Sequence, residues 1–334
     1  MGGLQLLWSA STPGDNSSPV LADGVIYVDS HCRFLYAFDA ANGKLLWMAT
    51  TGDSPNHFYP TPAVANGMVY TGSNDGLYAF STETGQLIWS AFPGDSVEAV
   101  TVADGVLYVV AGTFYALNAA TGQQIWNANI NSYDQSMPAV ANGVVYKGSL
   151  GGIMYALDAT TGQQIWQSAF VDGSFGGATT FANGVVYGQA YDGFYAYNAA
   201  TGQQIWTANV GSVISSSPAI ANGVVYEGFD AFDAFNGRLL WAAPLLSVYS
   251  TAAVANGVVY LGAENSNIYA FNAATGQTLW TAATDYPVES GLVVANGILY
   301  AASPDTLYAF GLPAAAPPAP PDPATLKPGP HLAP

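Results

Sequence analysis

The stretch Asn118–Trp126 reads NAATGQQIW, and the same nine letters stand again at 198–206. Close variants occupy 39–47 (DAANGKLLW), 158–166 (DATTGQQIW) and 272–280 (NAATGQTLW). The closing tryptophan recurs at intervals of about 40 residues, a period that is typical of propeller blades. One repeated structural unit is therefore expected for each tryptophan. The 8 tryptophans of the chain are Trp8, Trp47, Trp89, Trp126, Trp166, Trp206, Trp241 and Trp280.

A two-residue turn recurs in step with the tryptophans and predicts antiparallel strands. An Asn-Gly or Asp-Gly pair between apolar runs is a strong hairpin signal, because both central residues of a type I′ turn need positive φ. In the unit at 138–167, the segments PAVA, VVYKG, IMYALDA and QQIWQS have the composition of strands. Four such strands, repeated radially, make a blade. We therefore predict an all-β, eight-bladed β-propeller of four-stranded antiparallel blades. The turn glycines are Gly24, Gly67, Gly105, Gly143, Gly184, Gly223, Gly257 and Gly297.

The two ends of the chain complement each other in this pattern. The last unit has three strands, at about 291–295, 297–302 and 306–311, but lacks a tryptophan, whereas Trp8 has no unit before it. We therefore predict that Leu4–Ala10 supplies the fourth strand of the last blade and closes the ring. Closure also removes sheet edges that could pair with another chain. In the alternative interpretation, Trp8 is an isolated aromatic residue in a frayed terminus.

A small residue accompanies the tryptophan in each unit. In the unit of Ala156, Gly162 and Trp166, the alanine stands ten residues before the tryptophan and the glycine four before it. This pattern resembles the tryptophan-docking motif of the quinoprotein, or pyrroloquinoline quinone (PQQ)-type, propeller repeat, over about residues 4–311. The resemblance implies that each indole packs beside the alanine and against the backbone of the next blade. The alanines of the motif are Ala37, Ala79, Ala116, Ala156, Ala196, Ala231, Ala270 and Ala309.

The same resemblance bears on catalysis. Redox members of the family hold PQQ beneath adjacent cysteines and use Ca²⁺ with an acidic base. This chain has only Cys32, so the cysteine pair cannot form. His31 and His57 could each pair with a carboxylate and act as an acid or base. In a chain with so many Asp and Glu residues, such a pairing is expected by chance. No known catalytic sequence motif is present. We therefore predict a non-enzymatic member without cofactor or metal; a PQQ- and Ca²⁺-dependent dehydrogenase is the alternative.

Charge excludes several classes of partner. The chain has 22 Asp and Glu against 5 Lys and Arg, a formal net charge of −17. Nucleic-acid binding depends on Lys and Arg that neutralise phosphates, so no nucleic-acid partner is expected. The chain has no run of 18 or more apolar residues, so no membrane-spanning segment is predicted. The low lysine content and the resemblance predict an extracytoplasmic setting, which could be periplasmic, cell-surface or secreted.

The predicted blades place two kinds of segment at opposite ends. We call the end with the Asn-Gly and Thr-Gly turns the turn face, and the end with the second-to-third-strand loops and the blade connections the loop face. The loop-face segments vary, and variable loops on a rigid scaffold often carry function. Acids and aromatics there predict a protein, peptide or glycan partner; a solvated acidic rim is the alternative. The candidate binding residues are Asp53, His57, Tyr59, Asp95, Glu98, Tyr133, Asp134, Asp172, Phe175, Tyr249, Tyr286 and Glu289.

The composition changes after Gly311. Residues 312–334 read LPAAAPPAPPDPATLKPGPHLAP, and proline cannot donate to a sheet ladder. We therefore predict a propeller at 1–311 and a Pro/Ala-rich tail at 312–334. The tail is interpreted as a linker or a loose end. The alternative is a strap laid on the ring or on a neighbouring molecule. In that case the protein is a structural subunit that docks into a larger assembly, or associates with itself, through the tail.

Overall fold

The computed structural model describes residues 4–52, 60–92, 94–130, 136–210, 217–243 and 250–311. Within these residues every regular secondary-structure element is a β-strand. The strands form eight sheets of four strands each. Every paired strand is antiparallel to its neighbour, as in the pairing of Val20–Ala22 with Val25–Ser30. The predicted all-β, eight-bladed propeller is confirmed. The tail at 312–334 lies outside the described residues, so its separation from the propeller stays a prediction.

The strands in chain order are β1 (Gln5–Thr12), β2 (Val20–Ala22), β3 (Val25–Ser30), β4 (Phe34–Asp39), β5 (Leu45–Thr50), β6 (Ala63–Ala65), β7 (Met68–Ser73), β8 (Gly76–Ser81), β9 (Leu87–Ala91), β10 (Ala99–Ala103), β11 (Val106–Ala111), β12 (Thr113–Asn118), β13 (Gln124–Ala128), β14 (Ala139–Ala141), β15 (Val144–Gly148) and β16 (Met154–Asp158). The second half continues with β17 (Gln164–Gln167), β18 (Thr180–Ala182), β19 (Val185–Ala190), β20 (Gly193–Asn198), β21 (Gln204–Ala208), β22 (Ala219–Ala221), β23 (Val224–Glu227), β24 (Asp230–Asp233), β25 (Leu239–Ala242), β26 (Ala253–Ala255), β27 (Val258–Ala263), β28 (Asn267–Asn272), β29 (Thr278–Ala283), β30 (Val293–Ala295), β31 (Ile298–Ser303) and β32 (Asp305–Gly311).

Each blade is a sequential four-stranded sheet. Blade 1 is β2–β5, the next six blades follow in order, and blade 8 is β30–β32 with β1. The first strand of most blades is only three residues long, and the first strands of neighbouring blades contact each other, which places them around the axis. The second and third strands are largely buried, as in β3 and β4, so the core lies between adjacent blades. The fourth strand forms the outer edge.

The chain ends close the ring. β1 pairs antiparallel with β32, from Gln5 opposite Gly311 to Thr12 opposite Asp305, and Trp8 stands opposite Ala309. The predicted completion of the last blade by the first strand is therefore confirmed. The strand continues two residues beyond the predicted end at Ala10, because the buried Thr12 still pairs with Asp305. Closure joins parts of the chain almost 300 residues apart, as shown by the bond from Asn16 to Ser303 (|i−j| = 287).

The indoles lie in the seams between blades. Trp126 stands opposite Ala116 within its own sheet, and its Nε1 donates to the carbonyl oxygen of Ala159 in the next blade, at 3.0 Å. A Cβ added to Gly162 would come within 2.6 Å of the Trp126 ring, so only glycine leaves room for the indole. The hydroxyl of Tyr108 donates to the same Ala159 carbonyl at 3.5 Å. Equivalent bonds to the next blade are made by Trp8, Trp47, Trp89, Trp166, Trp206 and Trp241.

Candidate functional site

A cavity of about 730 Å³ lies on the propeller axis at the loop face. It is formed mainly by residues that stand directly before the first strand of each blade. Because these strands surround the axis, the connections that lead into them converge there. We call this space the axial cavity. One lining residue from each blade, in chain order, is Ser17, Thr61, Glu98, Met137, Gly177, Ser217, Thr251 and Glu289.

The lining of the axial cavity is polar and negative. Asp15, Glu98 and Glu289 contribute carboxylates, and His31 contributes an imidazole. In the part of the chain that the structure describes, no lysine or arginine lines the cavity. Carboxylates that line a concave site give a negative potential, which concentrates cations. The cavity can therefore attract positively charged groups.

Glu289 shows how closely the acids are placed. Its pKa is raised from the ordinary value of 4.5, first by desolvation and then by the charges of Glu264 and Asp15. Glu289 and Asp15 come from the connections into blades 8 and 1, and Glu264 comes from the second-to-third-strand loop of blade 7. Near the ring closure, the cavity-lining Glu289 therefore interacts with Asp15, which also lines the cavity, and with Glu264, which does not.

Asn16 is a buried amide in the same wall. Its side chain is 8% exposed, and its Nδ2 donates to Thr12 Oγ1 at 2.7 Å and to the Ser303 carbonyl at 2.6 Å. Its Oδ1 is buried and has no hydrogen-bond partner. A buried acceptor that is left unpaired normally carries a desolvation penalty. The amide oxygen of Asn16 is therefore a hydrogen-bond acceptor in the cavity wall that a ligand could use.

Two hydrogen bonds from backbone N–H groups to side-chain oxygens hold the two sides of this wall together. Gly291 N donates to Ser18 Oγ at 2.7 Å, and Gly14 N donates to Asp305 Oδ1 at 2.7 Å. Both bonds connect blade 8 to the segment between β1 and β2, which reinforces the closure next to the cavity.

The predicted binding residues fall into three groups. Glu98 and Glu289 line the axial cavity. Asp95, Asp172 and Tyr286 are exposed on loop-face segments but are not among the residues that line it. The remaining candidates except Phe175 lie outside the described residues: Asp53, His57, Tyr59, Tyr133, Asp134 and Tyr249.

Phe175 was predicted on the binding face, but the structure places it in the core. Its side chain is 1% exposed, and its ring packs edge-on against Tyr195 at a centroid distance of 6.1 Å. The ring lies beside two glycines: a Cβ added to Gly148 would collide with Phe175, at 2.8 Å from its ring, and one added to Gly188 would lie 3.1 Å from the ring. The loop also bonds to both neighbouring blades, because Phe175 N donates to Ser149 O and the residue bridges to Ala190. Phe175 therefore closes a seam and offers no binding surface.

Asn16 and Ser18 were not singled out from the sequence. A sequence pattern that could have identified such positions is a serine or threonine followed by proline directly before the first strand of a blade. It occurs in several connections, as in Ser18-Pro19 and Ser217-Pro218. That position faces the axis in blade after blade. The described ranges contain no group of three or more His, Cys, Asp or Glu residues that could hold a metal ion.

In the ranges set out above, no helix has the length and apolar character needed to cross a bilayer.

Several known proteins resemble this chain. A 26% identical segment of 159 residues aligns with outer membrane protein assembly factor BamB of Moranella endobia, over 42% of this chain and 40% of that protein. The match therefore spans about two fifths of the length of this relative. Crystallised BamB from Moraxella catarrhalis superposes with a TM-score of 0.76 at 17% identity, covering 93% of this chain and 100% of the other.

A redox enzyme also shares the architecture. Europium-containing methanol dehydrogenase superposes with a TM-score of 0.80 at 13% identity, covering 92% of this chain and 93% of the enzyme. At such identities the likeness shows the fold alone. The family model described as outer membrane protein assembly factor BamB matches residues 5–98, 94–169, 150–241 and 227–311. Because these segments together run through the whole propeller, the chain belongs to the BamB family of PQQ-type repeat propellers.

Proposed function

We propose that this protein is a non-catalytic binding and assembly scaffold that recognises another protein through its loop face. The observation that carries the proposal is the axial cavity, which is lined by Asp15, Glu98 and Glu289 and by no lysine or arginine among the described residues. Electrostatic complementarity of this kind gives an interface its partner preference and its association rate. The family match supports a role in assembly.

A protein or peptide fits this surface better than a neutral glycan does. Carboxylates in a cavity favour a partner that brings positive charge, which a neutral sugar lacks. An extracytoplasmic location is part of the proposal. It is supported by the family description, which refers to assembly of outer membrane proteins.

The alternative function is that of a PQQ-dependent dehydrogenase, because methanol dehydrogenase has the same fold as this chain. The residues do not fit that cofactor. The chain has one cysteine, so the cysteine pair typical of the redox members cannot form. The described residues also lack a three-residue cluster that could hold the accompanying metal ion. Tight binding of PQQ with Ca²⁺, together with reduction of an electron-accepting dye, would favour the enzyme instead.

Site-specific photo-crosslinking tests the scaffold proposal. A photoreactive amino acid is placed at Asp172, exposed on the loop face, and in a matched variant at Glu83, exposed on the turn face. Crosslinking in the producing cells is followed by mass spectrometry. We expect a specific protein adduct from position 172 and none from position 83. Equal adducts from both positions, or adducts only from position 83, would contradict a loop-face interface.

The tail provides a further structural option, in which copies of the chain associate through 312–334. Removing this segment and measuring the mass of the particle in solution tests it. An unchanged mass would exclude self-association through the tail.

A further inference from the structure

The side of the axial cavity next to the ring closure contains three side chains with hydrogen-bond acceptors. Asp15 and Glu289 supply carboxylates, and Asn16 supplies an amide oxygen without a partner. A carboxylate that is ionised accepts hydrogen bonds but cannot donate them. A ligand that satisfies all three groups must therefore bring several N–H or O–H donors.

The orientation of Asn16 is determined by its surroundings. The carbonyl of Ser303 can only accept, so the atom that contacts it at 2.6 Å must be the amide nitrogen. The same nitrogen also reaches Thr12 Oγ1 at 2.7 Å. The oxygen consequently lies on the other branch of the amide, away from these two groups. It remains a buried acceptor in a residue that lines the cavity.

Charge points to the same chemistry. Burial raises the pKa of Glu289, and the charges of Glu264 and Asp15 raise it further. A positive charge placed among them would reverse this effect, because an opposite charge nearby favours the ionised carboxyl form. A bound cation would therefore stabilise the ionised carboxyl groups of this site.

We propose that Asp15, Asn16 and Glu289 form a subsite for the cationic side chain of a lysine or arginine, which a protein partner inserts into the axial cavity. An ammonium has three N–H donors and a guanidinium has five, so either can satisfy two carboxylates and one amide oxygen. The cavity of about 730 Å³ has room for a long side chain and the residues beside it. This inference rests on the proposed protein-binding function and specifies the chemistry of the partner.

The subsite spans the closure of the ring. Asp15 and Asn16 follow β1, whereas Glu289 precedes β30 in the same blade that β1 completes. A cation bound between them contacts both ends of the propeller. Binding to the folded state alone raises apparent stability by mass action, so the ligand should also raise the thermal midpoint.

Short peptides of defined charge test the inference with the full chain. The probes are Ac-Gly-Lys-Gly-NH₂ and Ac-Gly-Arg-Gly-NH₂, and the uncharged control is Ac-Gly-Gln-Gly-NH₂. Binding is followed by titration in low salt, because screening weakens contacts between exposed charges. We expect saturable binding of one or both cationic peptides, with one site per chain, and none of the control. The two cationic probes show which side chain the subsite prefers.

Matched variants locate the binding. We expect Glu289→Gln and Asp15→Asn each to weaken peptide binding roughly tenfold or more, because each removes a hydrogen bond between charged groups. Asp95→Asn makes the same change in charge on the loop face outside the cavity, and it should alter affinity by less than about twofold. Asn16→Ala should also weaken binding, provided that its thermal midpoint shows a folded ring.

Four results would overturn the subsite: no binding of either cationic peptide, equal binding of the glutamine peptide, equal weakening by Asp95→Asn, or stoichiometric displacement of the peptide by Ca²⁺ alone. The last result would indicate a metal site instead. Crosslinking from position 172 does not depend on this subsite. A loop-face adduct without peptide binding would therefore reject the subsite and leave the scaffold function standing.

Discussion

The turn face and the loop face are built from the same eight blades, yet they differ in almost every respect. The turn face repeats two turns with nearly constant sequence and backbone, as in Asn142 (φ 53°) and Gly143 (φ 75°). The loop face has connections of different length and composition, and it carries the axial cavity. Repetition at one end keeps the blades in register, which leaves the other end free to vary. We therefore expect changes on the turn face and in its seams to alter stability, and changes on the loop face to alter binding.

The largest effect is expected from removing an indole from a seam. Trp126 is 7% exposed and bonds to the next blade, so Trp126→Ala should lower the free energy of unfolding by about 3–5 kcal/mol, as for other buried aromatics. Urea denaturation measures this change. The neighbouring Ile125 is 49% exposed, so Ile125→Ala should cost far less. Similar losses in the two variants would mean that the indole does not hold the seam.

Two turn glycines separate the cost of backbone conformation from that of crowding. Gly162 (φ +72°) and Gly143 (φ +75°) both have left-handed backbone, but an added Cβ meets Trp126 at Gly162 and open space at Gly143. Gly143→Ala should cost about 1–2 kcal/mol from conformation. Gly162→Ala should cost a further 1–3 kcal/mol or so from overpacking. Denaturation of both variants checks the difference; equal losses would show that the indole simply shifts aside.

The buried carboxyl group of Asp29, below the loop face, should make stability depend on pH. Burial raises its pKa well above 3.8, although Thr71 Oγ1 and Ser30 N donate to its carboxyl group. The folded protein then keeps a proton that the unfolded chain releases, so this group lowers stability as pH rises above about 4. Asp29→Asn removes that dependence. The variant should gain stability relative to the parent between pH 4 and pH 7, measured by thermal midpoints. A constant difference across this range would show an ionised Asp29.

The smallest effect is expected at Asp158, on the turn face. Its pKa is lowered from 3.8 by the Thr161 backbone N–H, the Thr161 hydroxyl and the Thr160 N–H. A lowered pKa stabilises the folded protein above 3.8, and this contribution is lost as pH falls through the folded pKa. Asn118 makes the equivalent backbone bonds in the preceding blade. Asp158→Asn should therefore reduce the thermal midpoint slightly at pH 7 and not at pH 2. A deficit that persists in acid would assign the loss to geometry and not to charge.

The fold could be predicted because its determinants are local and repeated. The Asn-Gly turns, the strand composition and the spacing of Ala156, Gly162 and Trp166 each describe one blade. Eight repetitions predicted the ring, and the unmatched Trp8 predicted its closure. Short-range turn chemistry and strand periodicity survive in the tertiary structure, because both depend on neighbouring residues.

The candidate site could be predicted only in outline. Glu98 and Glu289 were selected as acids on variable loops, and both line the axial cavity. Phe175 came from the same argument, yet it is buried, because the small residues Gly148 and Gly188 lie beside it only after folding. No pattern near Asn16 shows that its amide will be oriented by Ser303, which stands 287 positions away.

By itself the sequence determined the number of blades, the seams and the way in which the chain closes, because each follows from residues within one repeat or from one missing repeat. The tertiary structure decided which loop residues face the axis and which fill a seam. The physical reason is that the axial cavity collects one connection from every blade. Its shape and charge therefore depend on residues separated by the whole length of the propeller, which no local pattern relates to one another.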